Sequence, residues 1–281
     1  MKHIPVLLDA VINALGDIRG KRIVDCTFGA GGYTRAFLAA GAHVVAFDRD
    51  PNVAADAESI KKEYGNMFRF IPETFSHLID LDETFDAIVF DLGISSMQID
   101  VASRGFSFRF DAPLDMRMSE TGMTAAELIK TKSPDELARI LRDYGDVKKA
   151  NVLARAFKDA TPQTTFELRD LIFNPNDIAP VFQALRIAVN DEMGELERAL
   201  AGVPARLNIG GKCICVTFHS IEDRIVKNTF RAWTTAPGDA RLPAIRPAPF
   251  ELIRAQTPTE TELNANPRAR SAHMRGVVKS Y

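Results

Sequence analysis

Three acids and a histidine stand at or just past the ends of apolar runs: Asp25, Asp48, Asp91 and His219. Open α/β sheets bind ligands outside the carboxyl ends of their strands, so these four side chains are expected around one crevice. The first run, Arg22 to Cys26, breaks into Gly29, Gly31 and Gly32, and Thr34 to Ala40 then reads as a helix. Glycines there let a ligand lie against the backbone, because no Cβ intervenes. The second run, His43 to Phe47, ends in Asp48, an acid placed to take both hydroxyls of a ribose. A dinucleotide fingerprint would need a third glycine where Thr34 stands, so a pyrophosphate is disfavoured. Asp25 adds a carboxylate beside the loop. That suits an adenosine cofactor with an ammonium group and no phosphate, which describes S-adenosylmethionine. The plainer alternative is a glycine turn that binds nothing.

Asp91 closes a third run, Asp86 to Phe90, at the edge where cofactor and substrate would meet. Its ordinary alternative is a cap on a loop or helix. His219 follows the run Lys212 to Phe218. It can serve as a proton acceptor near neutral pH, with Ser220 beside it, or simply bond a neighbouring loop. Glu222-Asp223-Arg224 reads as an exposed helix turn with internal charge pairs. Cys26, Cys213 and Cys215 suit core positions in a reducing compartment better than metal ligation, and the five histidines show no metal spacing.

The elements that must position these groups follow from pattern. The 281 residues allow one large or two smaller domains, and 46% hydrophobic content is enough for a core. A net charge of −2 gives no global basic field. No apolar run reaches membrane length, and the first residues resemble neither a signal nor a transit peptide, so a cytoplasmic location is expected. After Asp91 comes a long irregular segment, Leu92 to Ser119, whose Arg104, Phe106, Phe108, Arg109 and Phe110 argue against plain disorder.

From Thr124 to Leu200 the pattern is helical, with capping boxes at Thr124/Glu127 and Ser133/Glu136 and Pro134 opening a helix. Val189, Met193, Leu196 and Leu200 form a stripe at helical spacing, suited to a core. The expected architecture is an α/β domain of residues 1–123 and 205–281, interrupted by a helical domain of residues 124–204. Lys212 to Phe218 reads as an alternating strand after a Gly210-Gly211 turn, and Ile221 to Phe230 as a helix. The remainder is Pro-rich and loop-like until a short strand near Val277. Arg268 and Arg270 lie in a late, mildly basic region and can hold phosphates or form a solvated loop.

Several segments together resemble the ribosomal RNA small subunit methyltransferase H family. They are His3-x-Pro-Val-Leu7, Asp91-Leu-Gly-Ile-Ser-Ser-Met-Gln98, Arg104-Gly-Phe-Ser-Phe108 and Pro113-Leu-Asp-Met-Arg-Met118. Phe182-Gln-Ala-Leu-Arg186 with Val189-Asn190, Phe218-His-Ser-Ile-Glu-Asp-Arg224 and Asn266-Pro-Arg-Ala-Arg-Ser271 complete the set. The resemblance implies a class I S-adenosylmethionine-dependent methyltransferase, a Rossmann-like α/β sheet with an inserted helical domain for RNA recognition. It implies methylation of the exocyclic N4 of a cytidine in 16S rRNA at the decoding centre, in the small ribosomal subunit or a late assembly particle. Gly31, Gly32 and Tyr33 match the family's cofactor loop, Asp48 its ribose acid, and Phe75, Asp91 and Gln98 further cofactor contacts. Asp91 is the first candidate for the reacting proton, His219 or Ser220 the second. Arg104, Phe106, Phe108, Arg268 and Arg270 are the candidate RNA contacts. Two departures stand out: Tyr33 where the family usually has histidine, and Gly145-Asp146-Val147 where it tends to carry Gly-Glu-Glu.

Overall fold

The structure, a computed structural model, describes residues 5–236 and 247–281. His3 and the stretch that includes Arg241 lie outside the described residues. The chain divides into two compact units. One runs to Gly93 and resumes at Glu195; the other is Ile94–Gly194.

The first unit is built on a seven-stranded sheet: β1 (Arg22–Asp25), β2 (His43–Phe47), β3 (Phe68–Ile71), β4 (Phe85–Asp91), β5 (Leu207–Thr217), β6 (Phe250–Gln256) and β7 (His273–Lys279). Their spatial order is β3-β2-β1-β4-β5-β7-β6. The first five are parallel, while β7 runs antiparallel to β5 and β6. This is the expected class I methyltransferase architecture. The order reverses between β1 and β4, which sets a ligand crevice above their carboxyl ends. Val24, Ile88, Phe90, Cys213 and Cys215 are buried in one core with Leu196, Leu200, Val226 and Phe230 from the covering helices.

Several elements differ from their sequence reading for physical reasons. β5 does not alternate: Cys213 to Thr217 are all buried, as a central strand covered on both faces must be. It also begins earlier, with its register against β4 shifting between Phe85 and Ala87 to absorb the Gly210 turn at φ 77°. β6 is a true strand inside the supposed loop. It pairs only with β7, and most of its side chains are exposed. The stripe from Val189 to Leu200 spans two helices, Ile178–Asn190 and Glu192–Arg206, broken by Asp191 at φ 49°.

The second unit is helical. Both capping boxes form, and Pro134 opens its helix. Phe106, Leu114, Met116 and Met118 lie in the same core as Leu137, Leu141, Phe157 and Leu185. The helical unit therefore takes in residues 94–123, ahead of the expected start at 124. It also ends before the expected 204, because Leu196, Leu200 and Val203 pack in the core of the sheet unit. Met116 sits at φ 62° and is fully buried. The Asn190 amide holds it there, donating to the Met116 carbonyl at 2.7 Å and accepting the Met118 N–H at 2.7 Å.

Candidate active site

The site begins with carboxylates carried on strand ends. Asp25 closes β1 beside Val89, and Asp91 closes β4 beside Val216. Asp25 is 1% exposed. It accepts the Thr27 N–H at 3.1 Å and the Thr34 hydroxyl at 2.7 Å. Thr27 in turn uses its hydroxyl to accept the Asp91 N–H at 2.7 Å, linking the tips of β1 and β4. Burial pushes the Asp25 carboxyl up to about 6; the Thr34 and Thr27 bonds oppose this and the Asp48 charge adds to it.

Asp48, just past β2, ties that strand end to the glycine loop. It accepts the Gly29 N–H at 2.8 Å and the Asp50 N–H at 2.9 Å. Each carboxylate oxygen retains a second lone pair, enough for a pair of ligand hydroxyls. Burial raises its carboxyl above the ordinary range. Asp91 is more unusual. Its Oδ1 is buried and accepts no hydrogen bond among the described residues. Burial first, then the charges of Asp25 and Glu222, hold its carboxyl well above the usual carboxylate range. An unsatisfied buried acceptor costs about 1–3 kcal/mol, so this oxygen calls for a ligand to explain it.

The glycine loop enters the helix Gly32–Ala39 through Gly31 at φ 74°. A Cβ on Gly31 would lie 2.7 Å from the Ile60 side chain, and one on Gly32 would lie 2.4 Å from Pro5. These glycines are therefore required by the chain's own packing, a reason beyond ligand approach. Of the first amides of the helix, that of Thr34 goes to the Asp25 carboxylate; those of Gly32 and Tyr33 have no intrahelical acceptor. Tyr33 contributes to this loop only through its backbone. Its side chain is 3% exposed, its hydroxyl donates to the Val6 carbonyl, and its ring lies 5.8 Å from Phe37. Phe75, half-buried, sets its ring edge-on to Phe90 at 5.7 Å.

His219 is the N-cap of the helix Ser220–Trp233. Its Nδ1 accepts the Glu222 N–H at 3.4 Å, and the Glu222 carboxylate accepts the Phe218 and His219 amides at 2.9 and 3.3 Å. Its Nε2 stands 2.9 Å from Glu222 Oε1, yet is buried and makes no hydrogen bond among the described residues. Ser220 is exposed. The reading of Glu222-Asp223-Arg224 as an exposed turn is corrected. Glu222 is 2% exposed, and Asp223 forms a bidentate pair with Arg275 at 2.7 and 2.8 Å, not with Arg224. That pairing holds the Asp223 carboxyl below the usual range.

The remaining candidates belong elsewhere. Gln98 lies in the helical unit, buried, its side chain accepting the Ser95 N–H at 3.1 Å. The expected RNA contacts Arg104, Phe106 and Phe108 lie against the helical unit's own residues. Arg104 donates to the Arg117 and Met118 carbonyls, and Phe106 is 7% exposed. Phe108 packs edge-on against Phe182 at 5.5 Å. All three anchor the loop to the helical core, because the loop has little regular structure of its own to hold it. Arg268 and Arg270 are exposed on the turn Pro267–Ser271 of the sheet unit.

Sequence reasoning missed Thr27, Thr34 and Glu222. Thr34 counted only as an absent glycine. Glu222 stands three residues after His219, the spacing of a capping box, but histidine in place of Ser or Thr concealed it. Among the described residues, no group of three His, Cys, Asp or Glu is arranged to hold a metal ion, and no helix is long and apolar enough to cross a membrane.

Comparison with known proteins follows the same chain from end to end. The sequence profile of the MraW methylase family matches residues 1–280. The ribosomal RNA small subunit methyltransferase H of Mesorhizobium japonicum is 44% identical over 298 residues, spanning 100% of this chain and 88% of the relative. Its counterpart from Caulobacter vibrioides is 44% identical over 300 residues, spanning 99% of this chain and 96% of the relative. Among solved structures, an rRNA methylase from Streptococcus thermophilus aligns at a TM-score of 0.46 with 14% identity, covering 100% of this chain and 99% of that one.

Proposed function

This chain belongs to the MraW methylase family, and on that premise we propose that it transfers a methyl group from S-adenosylmethionine to the exocyclic N4 of a cytidine in 16S rRNA, at the decoding centre of the small subunit. The observation that carries the cofactor reading is unbalanced negative charge. Asp25 and Asp91 are held protonated-side up by burial and by other carboxylates, and no Lys or Arg is among the groups that act on either. Such a site favours a cationic ligand. S-adenosylmethionine brings a sulfonium and an ammonium and no phosphate, whereas a nicotinamide dinucleotide would add negative charge to carboxylates.

The residues present fit that ligand. Asp48 offers acceptors for both ribose hydroxyls, Phe75 an apolar wall for the adenine, and Gly31, Gly32 and Tyr33 their backbone. The bound cofactor supplies an electrophilic methyl group. The chain must supply the rest, because the cytosine N4 lone pair is delocalised into the ring and is a poor nucleophile. Orienting N4 and hydrogen-bonding its protons is the main task, and positioning supplies roughly 7–11 kcal/mol in the best intramolecular cases. The free Oδ1 of Asp91, with the carbonyls of Leu92 and Gly93, forms the acceptor set for the N4 protons. Once ionised, Asp91 would accept one of these protons from the methylated amine. His219 ranks second, because its Nδ1 is committed to the helix cap. The target base must leave its stack to reach these groups.

The test is methyl transfer from labelled S-adenosylmethionine to small subunits from cells lacking this gene, followed by nucleoside analysis. N4-methylcytidine is the expected product. Label on another nucleoside overturns the substrate assignment, and no transfer to subunits or naked rRNA overturns the activity.

A further inference from the structure

Two short segments of the helical unit are locked side by side and present aromatic and guanidinium groups together. Pro113 and Thr164 form an antiparallel bridge. The Thr165 hydroxyl donates to the Phe110 carbonyl at 2.7 Å, the Thr165 N–H to the Ala112 carbonyl at 2.9 Å, and the Phe166 N–H to the Asp111 carboxylate at 3.2 Å. The backbone of 110–112 is thereby fixed to the start of the helix Thr165–Asp170. Yet Phe110 is 52% exposed and Arg109 is exposed beside it. Phe166 lies under the Arg169 guanidinium, 3.7 Å from the ring centroid. Asp170 fixes that guanidinium with bonds of 2.9 and 2.8 Å to one oxygen. A guanidinium stacked on one face keeps its other face as a flat, cationic platform.

A rigid loop has no packing reason to expose a phenylalanine. Flat aromatic and guanidinium surfaces are the chemistry that grips unstacked bases. We infer that Arg109, Phe110, Phe166 and Arg169 form a docking patch for single-stranded RNA. This rests on the rRNA reading above and names a substrate-binding surface for it. Of the loop aromatics, it is Phe110 that faces solvent, whereas Phe106 is spent in the core.

The test uses full-length Phe110→Leu, Phe110→Trp and Arg169→Gln proteins. A fluorescein-labelled, unstructured oligocytidine reports binding by anisotropy, and rRNA methylation reports KM and kcat separately. Loss of one stacking contact is expected to weaken binding by about five- to one-hundredfold. Phe110→Leu and Arg169→Gln should show that loss in oligonucleotide affinity and in KM, with kcat and cofactor affinity unchanged. Phe110→Trp should stay near wild type, which a merely structural apolar role would not require. Unchanged affinity in the Leu and Gln variants overturns the patch. So does a loss confined to melting temperature or cofactor affinity. If wild-type protein methylates no rRNA, the functional reading fails, and the oligonucleotide arm still decides the patch.

Discussion

Replacing Asp25 by Asn should stabilise the protein at neutral pH while weakening its hold on S-adenosylmethionine. Burial lifts this carboxyl from the ordinary 3.8 to about 6. Between those values the folded chain holds a proton that the unfolded chain has released, so stability falls as pH rises through the window. Above about pH 7 the full difference is in force, about 3 kcal/mol. An asparagine has no charge to desolvate and escapes this cost. Its amide can still accept the Thr27 N–H and donate to the Thr34 hydroxyl oxygen, but it cannot also serve the Thr34 N–H that the carboxylate accepts. One lost hydrogen bond costs about 1 kcal/mol. The net gain is about 2 kcal/mol, or roughly 4–8 °C in melting temperature for a unit of this size. Unfolding of both proteins is followed between pH 4 and 8 without cofactor. The advantage should be full above pH 7 and vanish or reverse near pH 4. Calorimetric titration with S-adenosylmethionine should show binding weakened tenfold or more, which is about 1.4 kcal/mol. An Asn variant less stable than wild type at pH 7.5, or equally favoured at pH 4 and 7.5, refutes the reasoning.

Because burial raises Asp25, Asp48 and Asp91 together, a cation must draw protons off the site as it binds. Cofactor affinity should therefore climb with pH through about 6, where Asp25 gives up its proton, with proton release seen as a buffer-dependent binding enthalpy; affinity constant from pH 5 to 8 would remove the argument. Asp91→Asn should cut turnover by about 10²–10⁴-fold without lowering thermal stability, since no bond to Oδ1 is lost; near-normal rates would reject Asp91 as the proton acceptor. His219→Ala should cost about 1 kcal/mol as a lost N-cap, and His219→Asn should restore stability and methylation alike. A stable Asn variant without turnover would instead give His219 a part in the chemistry. Asn190→Ala removes buried bonds to Met116, Met118 and Arg186 and should destabilise the helical unit by about 2–4 kcal/mol, read as faster hydrogen exchange confined to that unit.

The strand ends that carry the acids were legible because each acid follows a run of buried apolar residues. β1, β2 and β4 all lie close to where the pattern places them. β3 and β6 were not. β3 has four residues and only Phe68 is fully buried, while β6 is an edge strand whose exposed side chains give no alternation. Their identity comes from pairing with β2 and β7, which local pattern does not contain. The same limit applies at the site. Thr27 matters because its hydroxyl meets an amide 64 residues away. Phe106 looked available because its segment is polar and irregular, and its burial depends on helices that come later in the chain.

The acids themselves divide into two kinds, and the division argues for function. Two acids that serve the fold are each given a cation. Glu192 receives both arms of Arg186 at 2.8 and 3.0 Å, and Asp223 receives both arms of Arg275. Asp25 and Asp91 receive none, although Asp25 and the Oδ1 of Asp91 are buried and the Asp25 charge acts on Asp91. Pairing either would relieve the strain, and the chain demonstrably has the means. Both stand at the reversal point of the sheet, where a cationic ligand would complete them.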